Sequence, residues 1–220
     1  MPQAGHNAVA IRLVAHYGAA MARSRPNGAP TLLFIIGPVA VGKMSVGFEV
    51  AARTGFRLFH NHLTIEPVVR FFEFGSPPFD RLVGEFRRRL IEEVAASDLP
   101  GLIFTYVCAF DIPGDLAILE EYAKPFRRRG GRVLYLELEA SQQERLSRCE
   151  GMLRLAEKPS RRDLVATRRD LVDLDRRHRL NSAGEFDGWS EYLRIDNTTR
   201  SAEEVAAQVI AHFGLGQQGR

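Results

Sequence analysis

The stretch FIIGPVAVGKMSVG, residues 34–47, decides the fold of this chain. Gly37, Gly42 and Lys43 stand at the GxxxxGK spacing of a phosphate-binding loop, or P-loop. The apolar run before the loop predicts a buried strand over 31–37, and the residues after it predict a helix over 43–54. A P-loop requires that placement, because backbone N–H groups at the start of a helix bind phosphate oxygens. A glycine-rich turn that binds no ligand is the alternative.

Met44 follows the lysine, where the common P-loop has a Ser or Thr hydroxyl that meets magnesium. The next hydroxyl belongs to Ser45. We expect Lys43 to bridge the β- and γ-phosphates of ATP. The loop residues predicted to contact the nucleotide are Gly37, Val39, Ala40, Val41, Gly42, Lys43, Met44 and Ser45.

Strand and helix patterns alternate along the rest of the chain. Further strands are predicted over 55–61, 99–110, 132–139 and 191–197, with helices over 64–74, 78–97, 115–129, 141–149, 160–180 and 201–214. Such alternation predicts an α/β protein, with a parallel sheet covered by helices on both faces. We expect an N-terminal extension over 1–30, one domain over 31–214 and a tail over 215–220. The acid-free extension resembles a transit peptide, although an extra helix or a true start at Met21 fits better.

Composition narrows the possible environments. The 220 residues carry a net charge of +3, which does not by itself indicate a nucleic-acid partner. Cys108 and Cys149 stand far apart and in no paired motif, so a reducing cytoplasm is expected. Runs of 18 apolar residues are absent from the sequence, which predicts no membrane span. Lysine is scarce beside arginine and occurs at three positions, namely Lys43, Lys124 and Lys158.

The order of elements from residue 31 to 214 resembles that of the small P-loop kinases, such as shikimate kinase, the nucleoside monophosphate kinases and chloramphenicol phosphotransferase. The segments GPVAVGKMSVG, LFHNHLTIE, SDLPGLIFTYVCAFD and LAEKPSRRD are similar to those of a group of bacterial kinase-like ATPases. The resemblance implies three layers, a five-stranded parallel sheet in the order 2-3-1-4-5, and an arginine-rich lid at about 148–165. It also implies ATP and Mg2+ as cofactors.

The segment GKMS is similar to the GKGT of adenylate and cytidylate kinases. That resemblance implies that the Ser45 hydroxyl reaches the α-phosphate, while Mg2+ depends on water and other groups. Ser45 and Asp111 are our candidate metal-site residues. Asn197 follows the fifth strand, where the related kinases hold adenine, and is a further candidate for nucleotide binding.

The acceptor of the phosphoryl group is expected beyond the carboxyl ends of strands 2 and 3. His60 and His62 end strand 2 and would share one face of an extended strand. They are candidates to bind the acceptor or take its proton, although one could cap a helix and the other pack in a polar corner. A metal site with Glu66 is a further possibility.

Asp111 follows the apolar strand 3, which is the setting of a carboxylate that organises Mg2+. It could instead be the base for the acceptor hydroxyl. Asp115 is the alternative for either role, but it is better explained as a helix N-cap. The arginines at 87–89 are expected to face solvent for the most part.

The segment after strand 4 corresponds to the mobile lid of the resembling kinases, whose arginines close on the phosphates. From several basic residues that include Arg145, we select Arg148, Arg154 and Lys158 as catalytic candidates. The alternative is a solvated helical face.

The sequence therefore predicts an ATP-dependent phosphotransferase acting on a small hydroxyl-bearing molecule, in a monomer or a homodimer. A nucleotide-binding regulatory ATPase without a small-molecule acceptor is the alternative. A kinase for nucleic-acid 5′ ends is suggested only by the arginine content, and the modest net charge argues against it.

Overall fold

The computed structural model describes residues 29–151 and 157–216. The strands are β1 (Thr31–Ile36), β2 (Arg57–His60), β3 (Gly101–Thr105), β4 (Val133–Glu139) and β5 (Tyr192–Asp196). The helices are α1 (Lys43–Thr54), α2 (His62–Val68), α3 (Pro77–Ala96), α4 (Asp115–Arg128), α5 (Gln142–Arg148), α6 (Leu164–Arg177) and α7 (Ala202–Phe213). A 3₁₀ turn, Pro159–Arg161, precedes α6.

The five strands form one parallel sheet in the order β2-β3-β1-β4-β5, which confirms the predicted topology. Strand β1 lies at the centre, and all its residues are buried. Ile35 of β1 pairs with Thr105 of β3, and His60 of β2 pairs with the same threonine from the other side. The carboxyl ends of the strands therefore meet at one edge, which is where ligands bind in open α/β sheets.

Alternate residues of each buried strand pack on opposite faces of the sheet. Leu33 and Ile35 belong to a core shared with α1 and α7, whereas Leu32 and Phe34 belong to a second core shared with α3 and α4. Burial on both faces explains the continuous apolar runs of the sequence. The result is the predicted three-layer arrangement.

Strand β3 is shorter than predicted. The sequence predicted a strand over 99–110, but the ladder ends at Thr105, and the N–H of Phe110 donates to the carbonyl of Arg179 (2.9 Å). Cys108 and Ala109 are nevertheless buried. The apolar pattern therefore predicted correctly that this segment is buried, but the prediction that all of it forms a strand was wrong.

Strand β2 also ends early. The chain turns into α2 directly after Asn61, whose carbonyl accepts a hydrogen bond from the Thr64 hydroxyl (2.8 Å). The last helix, α7, begins with a capping box, in which the side chains of Ser201 and Glu204 each accept from the other's backbone N–H.

The predicted domain limits stay partly a prediction, because residues 1–28 and 217–220 lie outside the described residues. At the other limit, Leu215 is buried in the core beside α1 and α7, so the tail does not begin at 215. Among the residues that the structure describes, no helix has the length and apolar content needed to cross a membrane.

Candidate functional site

The P-loop is a tight turn between β1 and α1. Gly37 and Gly42 have φ angles of 132° and 107°, and Ala40 has a φ of 61°. A Cβ atom at Gly37 would lie 2.4 Å from the carbonyl oxygen of Leu138, so both φ and space require glycine there. Left-handed backbone at Ala40 costs conformational energy, and such strain is found often at ligand sites.

Lys43 begins α1 and points back into the loop. Its Nζ donates to the carbonyl oxygens of Gly37 (2.6 Å) and Pro38 (2.7 Å), and the residue is 9% exposed. A cation held at the mouth of the loop is placed to receive phosphate oxygens.

Met44 and Ser45 lie in different environments, the first in the core and the second at the cavity. Met44 is 7% exposed and packs in the core with residues of α7. Ser45 is half-buried and lines the cavity beside the loop, where its hydroxyl can reach a ligand.

This cavity has a volume of about 320 Å³. Its walls bring together nucleotide and lid residues that are distant in sequence, and they add Thr105 from the end of β3. The predicted site residues among its lining are Ala40, Val41, Gly42, Lys43, Met44, Ser45, Arg148, Lys158 and Asn197. Val39 is not part of this lining, and its carbonyl accepts a hydrogen bond from Arg145 (3.3 Å).

Asn197 and Arg148 hold the loop from the side of β5 and α5. The Asn197 side-chain amide donates to the carbonyl of Val41 (2.9 Å), and Arg148 Nη1 donates to the same oxygen (3.0 Å). Arg148 Nη2 also donates to the Asn197 carbonyl (2.8 Å). The guanidinium therefore lies against the loop, on backbone acceptors that an anion could replace.

Arg145 is a residue that the sequence reasoning ranked too low. It is 5% exposed, contacts Val39, and forms an ion pair with Asp175 of α6. Its spacing of three residues from Arg148 on a short helix was the available signal, because residues at i and i+3 share a face.

His60 lies at the buried end of β2. It is 1% exposed, and its Nε2 is 3.1 Å from Oε2 of Glu157, in the lid segment. Its Nδ1 is buried without a hydrogen-bond partner among the described residues. The sequence reasoning missed Glu157, which stands next to Lys158.

The prediction that His60 and His62 share one strand face is wrong. His62 is the first residue of α2, and its Nδ1 is 2.9 Å from Oε1 of Glu66, one helical turn ahead. Glu66 also accepts from the backbone N–H (3.0 Å) and the hydroxyl (2.7 Å) of Ser160. The two histidines thus lie on separate elements, each paired with a glutamate, and the lid segment is tied to α2.

Asp111 does not lie where the sequence predicted. It comes six residues after the end of β3, accepts from the N–H of Arg179 (2.9 Å), and pairs with Nδ1 of His178 (3.1 Å). The hydrogen bond from His178 is the main cause that holds the pKa of Asp111 below its ordinary value. The residue at the end of β3 that lines the cavity is Thr105.

Asp115 does not cap α4, whose N-cap is Gly114, but accepts from the N–H of Ala109 (2.8 Å). Arg154 lies outside the described residues.

Within the described part of the chain, no three His, Cys, Asp or Glu side chains are grouped to hold a metal ion. His60, His62 and Glu66 do not form the metal site considered from sequence, because each histidine pairs with a different glutamate. The cavity does carry the hydroxyls of Ser45 and Thr105. Oxygen ligands of this kind suit Mg2+ that keeps phosphate and water ligands.

Comparison with known proteins supports the fold. No family model matches the chain, and no curated protein matches it. A candidate kinase from Chloroflexus aurantiacus is 18% identical over 87% of this chain and 100% of its own, with a TM-score of 0.54. The APS kinase of Mycobacterium tuberculosis, solved with AMPPNP and APS, is 15% identical over 84% and 98%, with a TM-score of 0.53. A gluconokinase from Sinorhizobium meliloti is 11% identical over 87% and 94%, with a TM-score of 0.51. Together with the sheet order, these similarities show that the chain has the P-loop kinase fold.

Proposed function

We propose that this protein is an ATP-dependent phosphotransferase that transfers the γ-phosphoryl group to a hydroxyl of a small molecule. One observation carries the proposal: the P-loop and the first turn of α1 share a single cavity with Arg148 and Lys158. A phosphoryl-transfer enzyme needs that combination, because its catalysis is mainly positioning and charge stabilisation. The similarity to structures titled as an APS kinase and a gluconokinase supports it.

The loop backbone would bind the phosphates first. Lys43 would exchange the carbonyls of Gly37 and Pro38 for β- and γ-phosphate oxygens. A hydrogen bond to an anion is about twice as strong as one to a neutral acceptor, so the exchange is favourable.

Ser45 and Thr105 would hold Mg2+, directly or through water, beside the phosphates. When bound, Mg2+ neutralises charge on the β- and γ-phosphate oxygens. Asp111 has no part in this proposal, because its carboxylate faces His178 and Arg179.

Arg148 and Lys158 would stabilise the transferred group. Negative charge spreads over the phosphoryl oxygens during transfer, and cations already aimed there stabilise that state most. Arg154 stays a candidate for the same task. Lys158 stands in the segment that Ser160 ties to Glu66, so movement of this segment would bring or remove its charge.

His60 would accept the proton of the acceptor hydroxyl. With a proton on Nε2 directed at Glu157, the buried Nδ1 carries a lone pair and has no partner among the described residues. Glu157 would fix this tautomer and the ring orientation. Because the side chain is 1% exposed, the lid segment would open to admit the acceptor and then close, which returns Glu157 to His60 before transfer.

One observation favours the regulatory ATPase as a second candidate. Phe71, Phe74 and Phe86 are 79%, 64% and 55% exposed around α3. Three large apolar side chains exposed within residues 71–86 are a feature that a partner protein would cover. In that case the protein would bind a partner protein in a nucleotide-dependent way and would have no small-molecule acceptor.

The two candidates are separated by ADP formation measured against a panel of nucleosides, sugars, sugar acids and hydroxyl-bearing antibiotics. A phosphotransferase forms ADP at a rate that depends strongly on one acceptor and yields an equal amount of phosphorylated product. Lys43→Ala serves as the control for contaminating kinases. Slow ADP formation that no acceptor changes would contradict the phosphotransferase and favour the regulatory module.

A further inference from the structure

Arg87 points inward from α3, unlike its exposed neighbours Arg88 and Arg89. Its Nε donates to the hydroxyl of Thr64 (3.0 Å), and its Nη2 donates to the carbonyl of Asn61 (3.3 Å). The guanidinium carbon lies 5.9 Å from the ring centroid of Phe104. Two of the three arginines thus face solvent, as expected for most of them, and Arg87 does not.

The hydrogen-bond acceptors that Arg87 contacts among the described residues are neutral. Within residues 29–151 and 157–216, none of the ion pairs includes Arg87, whereas Arg89 pairs with two glutamates on the same helix. Burial is the main cause that lowers the pKa of Arg87, and the phenols of Tyr106 and Tyr122 lie close to it. A half-buried cation without a counter-charge is costly for the fold, and an anionic ligand would offset that cost.

Asn61 connects Arg87 to the cavity beside the P-loop. The carbonyl of Asn61 accepts from Arg87, and the N–H of Asn61 donates to the hydroxyl of Thr105 (3.3 Å). Thr105 lines the cavity that contains Lys43. A molecule bound between these points could present a hydroxyl to the phosphates and its far end to Arg87.

We infer that Arg87 binds an anionic group of the acceptor, so that the substrate is a hydroxyl-bearing carboxylate or phosphate ester. This inference rests on the proposed phosphotransferase function. The planar guanidinium suits either group, because both present two oxygens at the spacing of its N–H donors. Burial also raises the pKa of Tyr106, so its hydroxyl stays protonated and can donate to the same anion.

The anion site is tested first by binding, with the P-loop saturated by AMPPNP and Mg2+ so that it cannot bind the probe. The probe is inorganic sulfate, measured by its shift of the melting temperature. We expect Arg87→Gln to weaken sulfate binding at least tenfold, and Arg88→Gln, which removes the same charge from an exposed position, to change it less than twofold. Arg87→Lys keeps the charge and should retain part of the binding. Wild-type protein that binds no sulfate, or equal binding by Arg87→Gln with unchanged AMPPNP affinity, would overturn the inference.

Transfer to matched acceptors then identifies the anion. Gluconate is compared with sorbitol for a carboxylate, and glucose 6-phosphate with glucose for a phosphate ester. In the wild type, kcat/KM for the charged member of one pair should exceed that for the neutral member at least tenfold. Arg87→Gln should bring that ratio close to one, with less than a threefold change for the neutral member.

The outcomes separate this inference from the proposed function. Efficient transfer to neutral acceptors that does not depend on Arg87 would overturn the anion site and leave a phosphotransferase. Sulfate binding that depends on Arg87, with no transfer to any acceptor of the full panel, would support the anion site and contradict the phosphotransferase.

Discussion

Nε2 of His60 lies 3.1 Å from Oε2 of Glu157, so the end of β2 is joined directly to the lid segment. The hydrogen bonds of Ser160 to Glu66 join the same segment to α2. Movement of this segment would therefore break its contacts to both β2 and α2. In the proposed reaction, the histidine has its carboxylate partner only while the lid segment is in place.

We expect Glu157→Ala to reduce phosphoryl transfer by roughly tenfold to a hundredfold, because the His60 ring loses the partner that sets its tautomer. AMPPNP affinity should stay within twofold, since Glu157 is not among the residues that line the P-loop cavity. Glu157→Asp should recover part of the rate. Glu150→Ala removes an exposed glutamate that pairs with Arg168 and serves as the control. An equal loss in nucleotide affinity and in transfer would count against a positioning role.

Lys43→Ala should lower ATP affinity at least tenfold and turnover by roughly a hundredfold or more, because the β- and γ-phosphates lose their closest cation. Lys124 is an exposed lysine that pairs with Glu121, and Lys124→Ala should leave both quantities unchanged. Titration with a fluorescent ATP analogue and steady-state ADP release measure the two effects. ATP binding within twofold of wild type in Lys43→Ala would show that the loop does not bind phosphate through this lysine.

Substitution of Met44 should lower the stability of the protein, whereas substitution of Ser45 should lower its activity. Met44→Gly removes a core side chain and adds glycine to a helix, so we expect a loss of about 3 to 5 kcal/mol in the free energy of unfolding. Met44→Leu should cost less than about 1.5 kcal/mol. Ser45→Ala should keep the stability and impair transfer. Urea unfolding and ADP release distinguish the three variants, and normal transfer by Ser45→Ala would exclude its hydroxyl from the site.

Asp111 should contribute to stability in a pH-dependent way and not to catalysis. Its pKa is lowered in the folded protein, mainly by the hydrogen bond from His178. Its contribution is therefore present above the ordinary carboxyl pKa, which is about 3.9, and is lost as pH falls through the lower folded value. Asp111→Asn should be less stable than wild type at pH 7, and the difference should shrink as pH falls through the lowered folded pKa of Asp111. Transfer activity should change less than threefold, and a larger loss with an intact fold would restore Asp111 to the site.

The sequence by itself determined the α/β alternation and the strand–loop–helix unit that carries GxxxxGK. The strand–loop–helix unit over Thr31–Thr54 is local, since GxxxxGK, the apolar run and the helix follow one another along the chain. The order 2-3-1-4-5 came from a resemblance in the succession of elements, and the structure confirms it. Local pattern is a property of neighbouring residues, which is why it could be predicted, whereas the strand order is not local and was predicted only through the resemblance.

Only the tertiary structure decided the acceptor side. His60 and Glu157 are 97 positions apart, and Arg87 reaches Asn61 across 26 positions. The apolar run over 99–110 predicted a strand that ends beside Asp111. This prediction was wrong, because the strand ends at Thr105 and Cys108 is buried in the loop that follows. Contacts of this kind depend on where separate elements cross in space, and residue type and spacing along one element carry no information about that crossing.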